Sequence, residues 1–279
     1  MLYLLLAILS STLISVIMRL SSGKVTASNT MLAANYGVCL ILAGIYGDFQ
    51  VLPEGASGFG AMVAMGAVNG ALYLLGFVLL QVSVRKNGVV LSAVFMKLGL
   101  LVPILLSLVV FQEIPSALQA AGFILAVGAI VLINYEKNAV SQGTGKWMLI
   151  FLLLAGGGGD AMAKVFAMFG SKPLEETFLV YTFLSALLLC LILVLYKKER
   201  LQPLALVYGV IVGIPNFFSA RFLLKAVSVL PAVVVYPTFS VGTMLLVTLA
   251  GVLVFREQLR KNQWIALAVI LAALVLLNI

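Results

Sequence analysis

Residues 88–110 read GVVLSAVFMKLGLLVPILLSLVV, an apolar run whose single ionisable residue is Lys97. A helix rises about 1.5 Å per residue, so a run of this length crosses the roughly 30 Å hydrocarbon core of a bilayer. A charge at mid-bilayer costs at least about 2.5–3.5 kcal/mol on insertion scales, so Lys97 needs a partner or a wet cavity. The run therefore predicts a transmembrane helix with a polar site at its centre. It is bounded by Arg85-Lys86 on one side and by Phe111-Gln112-Glu113 on the other. Comparable runs lie at about 1–20, 29–47, 58–81, 116–134, 147–169, 174–196, 203–225, 230–254 and 262–278, which makes ten spans in all.

The composition agrees: 63% of the chain is hydrophobic, 9% is charged, and the mean hydropathy is +1.22. A soluble domain holds roughly 45–50% apolar and about 25% charged residues, so a water-soluble fold is excluded. The fold class is an all-α integral membrane protein. No break between spans is long or polar enough for a soluble domain, so function must sit within the bundle. There is no His, and Cys39 and Cys190 lie inside separate apolar runs. Zinc motifs, His-based triads and disulfide frameworks have nothing to stand on, and neither a cofactor nor a metal is expected.

The net charge of +8 is distributed by side, a pattern of membrane orientation rather than of nucleic-acid binding. The breaks after odd-numbered spans hold Arg19 and Lys24; Arg85 and Lys86; Lys137 and Lys146; Lys197, Lys198 and Arg200; and Arg256, Arg260 and Lys261. The other side holds Lys172 and Lys225, with Asp48, Glu54, Glu113, Glu175 and Glu176. By the positive-inside rule the first set faces the cytoplasm and both termini face out. Met1–Leu20 lacks basic residues before its apolar core and carries Arg19 and Lys24 after it, so it reads as a first span, not a signal peptide. Trp147 and Trp264 open spans 6 and 10 on the basic side, as interfacial anchors.

An offset of 144 residues places Phe95 on Phe239, Phe111-Gln112-Glu113 on Phe255-Arg256-Glu257, and Gln119 on Gln263. Five spans thus map onto five: 1–138 forms a first repeat, 139–145 a short linker, and 146–279 a second repeat. Because five is odd, the second copy is inverted, the arrangement of many secondary transporters. These features, short-looped spans in two halves that each end in an aromatic-x-Glu turn, a polar residue and a Gly/Ala-rich last helix, resemble the drug/metabolite transporter superfamily in its ten-helix EamA-like branch. The resemblance covers essentially the whole chain. It implies a substrate cavity lined by spans 1, 3, 4, 6, 8 and 9, with spans 5 and 10 peripheral. Termini in that family are usually cytoplasmic, whereas the charges here predict them outside.

Besides Lys97, three ionisable residues lie at membrane depth: Asp160 and Lys164 in span 6 and Arg221 in span 8. Lys97 and Arg221 could face an anionic substrate group, Arg as a bidentate fork and Lys as a point charge. The bland alternatives are that Lys97 pairs with Asp160 as a structural bridge while Arg221 and Lys164 snorkel outward. Asp160 and Lys164 sit four apart on one helix face, where they can pair; Asp160 is also a candidate proton site. Asn69 and Tyr73 in span 3 and Asn216 in span 8 offer either cavity lining or interhelical hydrogen bonds. Pro237, between Tyr236 and Thr238, frees a backbone carbonyl, and discontinuous helices often mark transport sites. Gly158 and Gly159 close a run from Gly156 immediately before Asp160, a candidate gate, whereas Gly66 and Gly70 read as helix packing. Ser10, Ser11, Thr12 and Ser15 are easily satisfied by their own helix.

The sequence thus predicts a secondary-active carrier of a small polar metabolite bearing a carboxylate or phosphate, working by alternating access in the plasma membrane (the bacterial inner membrane). No phosphate-binding loop is present, so neither bound ATP nor an ATPase subunit is expected. The expected partners are substrate and membrane lipid, without nucleic acid, and a monomer contains both repeats, with a dimer as the alternative. The second reading is a proton-coupled exporter of cationic or lipophilic compounds using Asp160. An intramembrane enzyme lacks a nucleophile with an acid/base partner, so no enzymatic activity is expected.

Overall fold

The computed structural model describes residues 1–47, 58–87, 89–133, 146–256, 258–259 and 261–279. Asp48, Glu54, Glu136, Lys137, the linker 139–145, Glu257 and Arg260 lie outside the described residues. The elements are α1 (Leu2–Ser21), α2 (Ser28–Tyr46), α3 (Phe59–Asn87), α4 (Val89–Leu98), α5 (Leu101–Val109), α6 (Ala117–Ile133), α7 (Lys146–Phe169), α8 (Glu175–Tyr196), α9 (Pro203–Val227), α10 (Ala232–Leu253) and α11 (Lys261–Leu277). Every apolar run read from the sequence carries helix. Eight stretches are long and apolar enough to cross a membrane, and the 17-residue helices α6 and α11 are shorter. The chain is a multi-pass, all-helical membrane protein over the described residues.

The run quoted first departs from a single rod. Its helix stops at Leu98 and restarts at Leu101, so α4 and α5 are two halves of one stretch, Leu91–Val109. At the break the hydrogen bonds tighten to three-residue spacing, with Gly99 N donating to Met96 O at 3.2 Å and Leu100 N to Lys97 O at 3.4 Å. A Cβ on Gly99 would lie 2.9 Å from Gly157 N and 3.2 Å from Leu153 O, so the backbone of α7 presses on the break. The prolines do not interrupt their helices: α9 continues through Pro215 and α10 through Pro237. One lost N–H is tolerated in a membrane helix when neighbouring helices re-satisfy the freed carbonyl.

Two compact bundles divide the chain, each built from two separate stretches of sequence. The first comprises Met1–Leu74 with Met162–Ser228, the second Leu75–Ala161 with Val229–Ile279. In the first, α9 packs on α1 and α2, and α2 on α8. Small residues permit this: a Cβ on Gly213 would meet Val38 Cβ at 2.6 Å, and one on Gly66 would meet Tyr181 Cβ at 2.8 Å. Gly70 similarly abuts Ala186 N, so the Gly66/Gly70 pair serves helix packing. In the second bundle α6 and α11 pack on each other, with Gly122 against Leu276 and Leu277.

Helix starts are capped from a distance. The residue preceding α2 is Ala27 and that preceding α10 is Pro231, and neither supplies a side-chain cap. For α2 the acceptors come from the segment after α8: Gln202 Oε1 accepts from Thr26 N at 3.0 Å and Ala27 N at 3.3 Å, and Glu199 Oε1 from Asn29 N at 3.2 Å. For α10 the acceptor is Glu113, on the loop after α5.

Candidate functional site

In the second bundle the break between α4 and α5, the glycine run of α7 and the first turns of α10 converge. A Cβ on Gly157 would run into Gly99 O and come within 2.7 Å of Val102 Cγ2, and one on Gly156 would lie 2.9 Å from Met96 Sδ. Close packing at Gly156, against Met96, and at Gly157, against Gly99, sets α7 on α4, with Asp160 about one turn further along α7 and Lys97 two residues before the break. Each of these half-buried charges acts electrostatically on the other. From α10, Tyr236, 1% exposed, donates its hydroxyl to the Asp160 backbone carbonyl at 2.6 Å. Thr238, also buried, accepts from Asn278 Nδ2 at 3.3 Å. Gly158 and Gly159 continue α7 without interruption up to Asp160.

The structure therefore joins Asp160 to Tyr236 and sets Lys97 within electrostatic reach of Asp160, while Thr238, beyond Pro237, is engaged by Asn278. Lys164 lies one turn beyond Asp160 on α7 and is 2% exposed, so it does not reach for the membrane surface.

The first bundle holds a separate cluster. Glu176, in the first turn of α8, accepts at Oε1 from Arg221 Nε at 2.7 Å and pairs with Arg221 Nη2 at 2.6 Å and Lys225 Nζ at 3.8 Å. The Arg221 guanidinium also lies over the Tyr46 ring, 4.3 Å from its centroid, and Tyr46 stacks on Phe217 at 5.5 Å. One carboxylate against two cations leaves one net positive charge. Glu176 Oε2 is buried and finds no hydrogen-bond donor among the described residues. Arg221 is thus held by partners from α8 and α2 that single-helix reasoning could not name; the visible signal was the Glu175-Glu176 pair opening α8.

The polar residues predicted in the same bundle make interhelical bonds. Asn69 Nδ2 donates to Thr182 Oγ1 at 3.3 Å, joining α3 to α8, and Asn216 Nδ2 donates to Asn35 Oδ1 at 3.1 Å, joining α9 to α2. Cys39 donates its thiol to Gly213 O at 3.3 Å. Asn35 escaped sequence reading, although a polar residue four positions before a buried Cys is a detectable pattern. Tyr73 is half-buried one turn beyond Asn69. In α1, Thr12 and Ser15 donate to Ile8 O and Ser11 O of their own helix.

The described residues thus form a multi-pass helical bundle with a broken span and the charged residues Lys97 and Asp160 in the helices that meet at the break. The EamA-like transporter family matches residues 145–279, so the second half of the chain is similar to that family. An uncharacterized protein of Haemophilus influenzae is 26% identical over 280 residues, covering 96% of this chain and 94% of that one. A solved crystal structure at 15% identity is similar in fold, with a TM-score of 0.75 over 99% of this chain and 94% of the other.

Proposed function

We propose that the chain is a secondary-active carrier of a small polar metabolite bearing a carboxylate or phosphate, alternating between two inverted five-helix repeats, 1–138 and 146–279. The observation that carries this reading is the position of Lys97: it lies in the last turn of α4, at an interruption inside a membrane-spanning stretch, within electrostatic reach of Asp160. Interrupted helices expose backbone groups and concentrate ion and substrate contacts in transporters. Lys97 provides the point charge for the anion, Asp160 offsets it in the empty carrier, and Tyr236 and Thr238 border the same region of α10. Arg221, already engaged by Glu176 and Tyr46, stabilises its own bundle. The reading includes ten spans in the plasma membrane, both termini outside, and a monomer that needs no ATPase subunit.

The test is a thermal-shift screen of the detergent-purified protein against carboxylates, phosphates, amino acids, nucleobases and organic cations. A ligand at 100 times its dissociation constant stabilises by about 2.7 kcal/mol. Carboxylates or phosphates should shift the wild type and leave Lys97→Ala unmoved. Shifts produced by organic cations alone would replace this reading with the proton-coupled exporter built on Asp160. A reporter at Ile279 should read outside; a cytoplasmic signal would reverse the orientation.

A further inference from the structure

The Phe-x-Glu step recurs in the sequence without a role in the site, yet its first copy reaches toward it. Gln112 takes a left-handed conformation, φ 53°, and turns the chain at the end of α5 so that Glu113 folds back. Glu113 N donates to Ser107 O at 3.2 Å, and Ser107 Oγ in turn donates to Glu113 Oε2. The same carboxylate oxygen accepts from Ala232 N at 2.8 Å, the first residue of α10. Pro231, which precedes that helix, has no capping side chain, so a carboxylate from another span sits at the positive end of the α10 dipole. Tyr236 is four residues after Ala232, one turn above it on the same face. Its hydroxyl holds the Asp160 carbonyl.

We propose that Glu113 is a positioning residue for the Lys97–Asp160 site: by capping α10 it fixes the helix's first turn and thereby holds Tyr236 against α7. The proposal rests on the reading of that site as the place of binding, but its geometry is testable without a substrate. The experiment is 19F NMR of the full chain carrying 3-fluorotyrosine, with the Tyr236 resonance identified by its loss in Tyr236→Phe. Glu113→Ala should move or broaden that resonance and speed amide exchange over 232–236 roughly tenfold, the order that a lost cap implies. Glu113→Gln, whose amide oxygen still accepts from Ala232, should restore most of both. Glu199→Ala removes a cap of the same kind from α2 in the other bundle and should leave the Tyr236 resonance where it is.

An unmoved Tyr236 resonance in Glu113→Ala, or an equal movement in Glu199→Ala, would overturn the proposal. Should Glu113→Ala not fold, Ala232→Pro deletes the donor alone. Proline is accepted at the first helical position, and Pro231, at ψ 140°, already has the extended backbone that a following proline requires. That variant should move the resonance in the same way, and an unmoved signal would again sink the idea. Because neither readout involves a ligand, failure of the anion screen and failure of the cap are separate results.

Discussion

Gln112 and Arg256, 144 residues apart, adopt the same left-handed backbone conformation, with φ of 53° and 54°. Each is the middle residue of a Phe-x-Glu step, so the two steps share a left-handed residue at their centre. For a residue with a Cβ this conformation costs roughly 1–2 kcal/mol, and β-branching makes it worse. Gln112→Ile should therefore destabilise by on the order of 1 kcal/mol. Gln112→Gly should be neutral or stabilising, since glycine adopts this conformation without the steric cost. Thermal unfolding in detergent would measure both, and equal melting temperatures for the two variants would show that the turn bears no such strain.

Contact between Gly99 and Gly157 makes a second prediction. Gly157→Ala places a methyl group against the Gly99 backbone carbonyl and the short β-branched side chain of Val102, neither of which has a long flexible end to move aside. Overpacking of this kind costs about 1–3 kcal/mol. Gly128→Ala is the control, because a Cβ there meets nothing within 4 Å. A clear loss of thermal stability is expected in the first and none in the second. Equal stability would mean that α7 and the break between α4 and α5 do not touch.

The helices were legible because membrane thickness sets a minimum apolar length, and the runs satisfy it almost to the residue. The break at Gly99 was not, since Leu98-Gly99-Leu100 resembles any apolar triplet; what forces it is Gly157 on another helix. Pro237, the louder local signal, breaks nothing. Lys97 and Asp160 stand out in the sequence because charge in hydrocarbon is expensive wherever it occurs. Their influence on each other was one option among several in the sequence, and it depends on the close packing of α7 against α4. The partner of Arg221 required knowing that α8 begins where α9 ends, a relation across 45 residues.

Arg221 and Glu176 form a mostly buried pair in which two guanidinium nitrogens meet one carboxylate oxygen, with side-chain exposures of 16% and 19%. Lysine offers a single point charge and cannot reproduce the fork or the stacking on Tyr46. Arg221→Lys should therefore lose much of what Arg221→Ala loses, and Arg221→Ala should cost on the order of 2 kcal/mol by leaving Glu176 with only the longer Lys225 contact. Thermal unfolding of the two variants checks this. A fully stable Arg221→Ala would free the residue from a structural role and return it to the anion site.

Lys97 and Asp160 call for the opposite design, because their pairing and their function separate only when both are replaced. Removing either partner strands the other charge inside the bilayer, a change that costs about 3–5 kcal/mol for a fully buried pair and less for a half-buried one. Lys97→Met and Asp160→Leu together remove both charges with similar volume and should recover most of the lost stability. If the pair only braces α4 against α7, the double variant will still take up, in proteoliposomes, whichever anion the thermal-shift screen selects. If Lys97 receives the anion, the double variant will be as stable as wild type and inactive. Asp160→Asn adds a further test: a changed pH dependence of uptake identifies Asp160 as a coupling proton site, and an unchanged profile leaves it as the counter-charge that holds Lys97 in place between substrates.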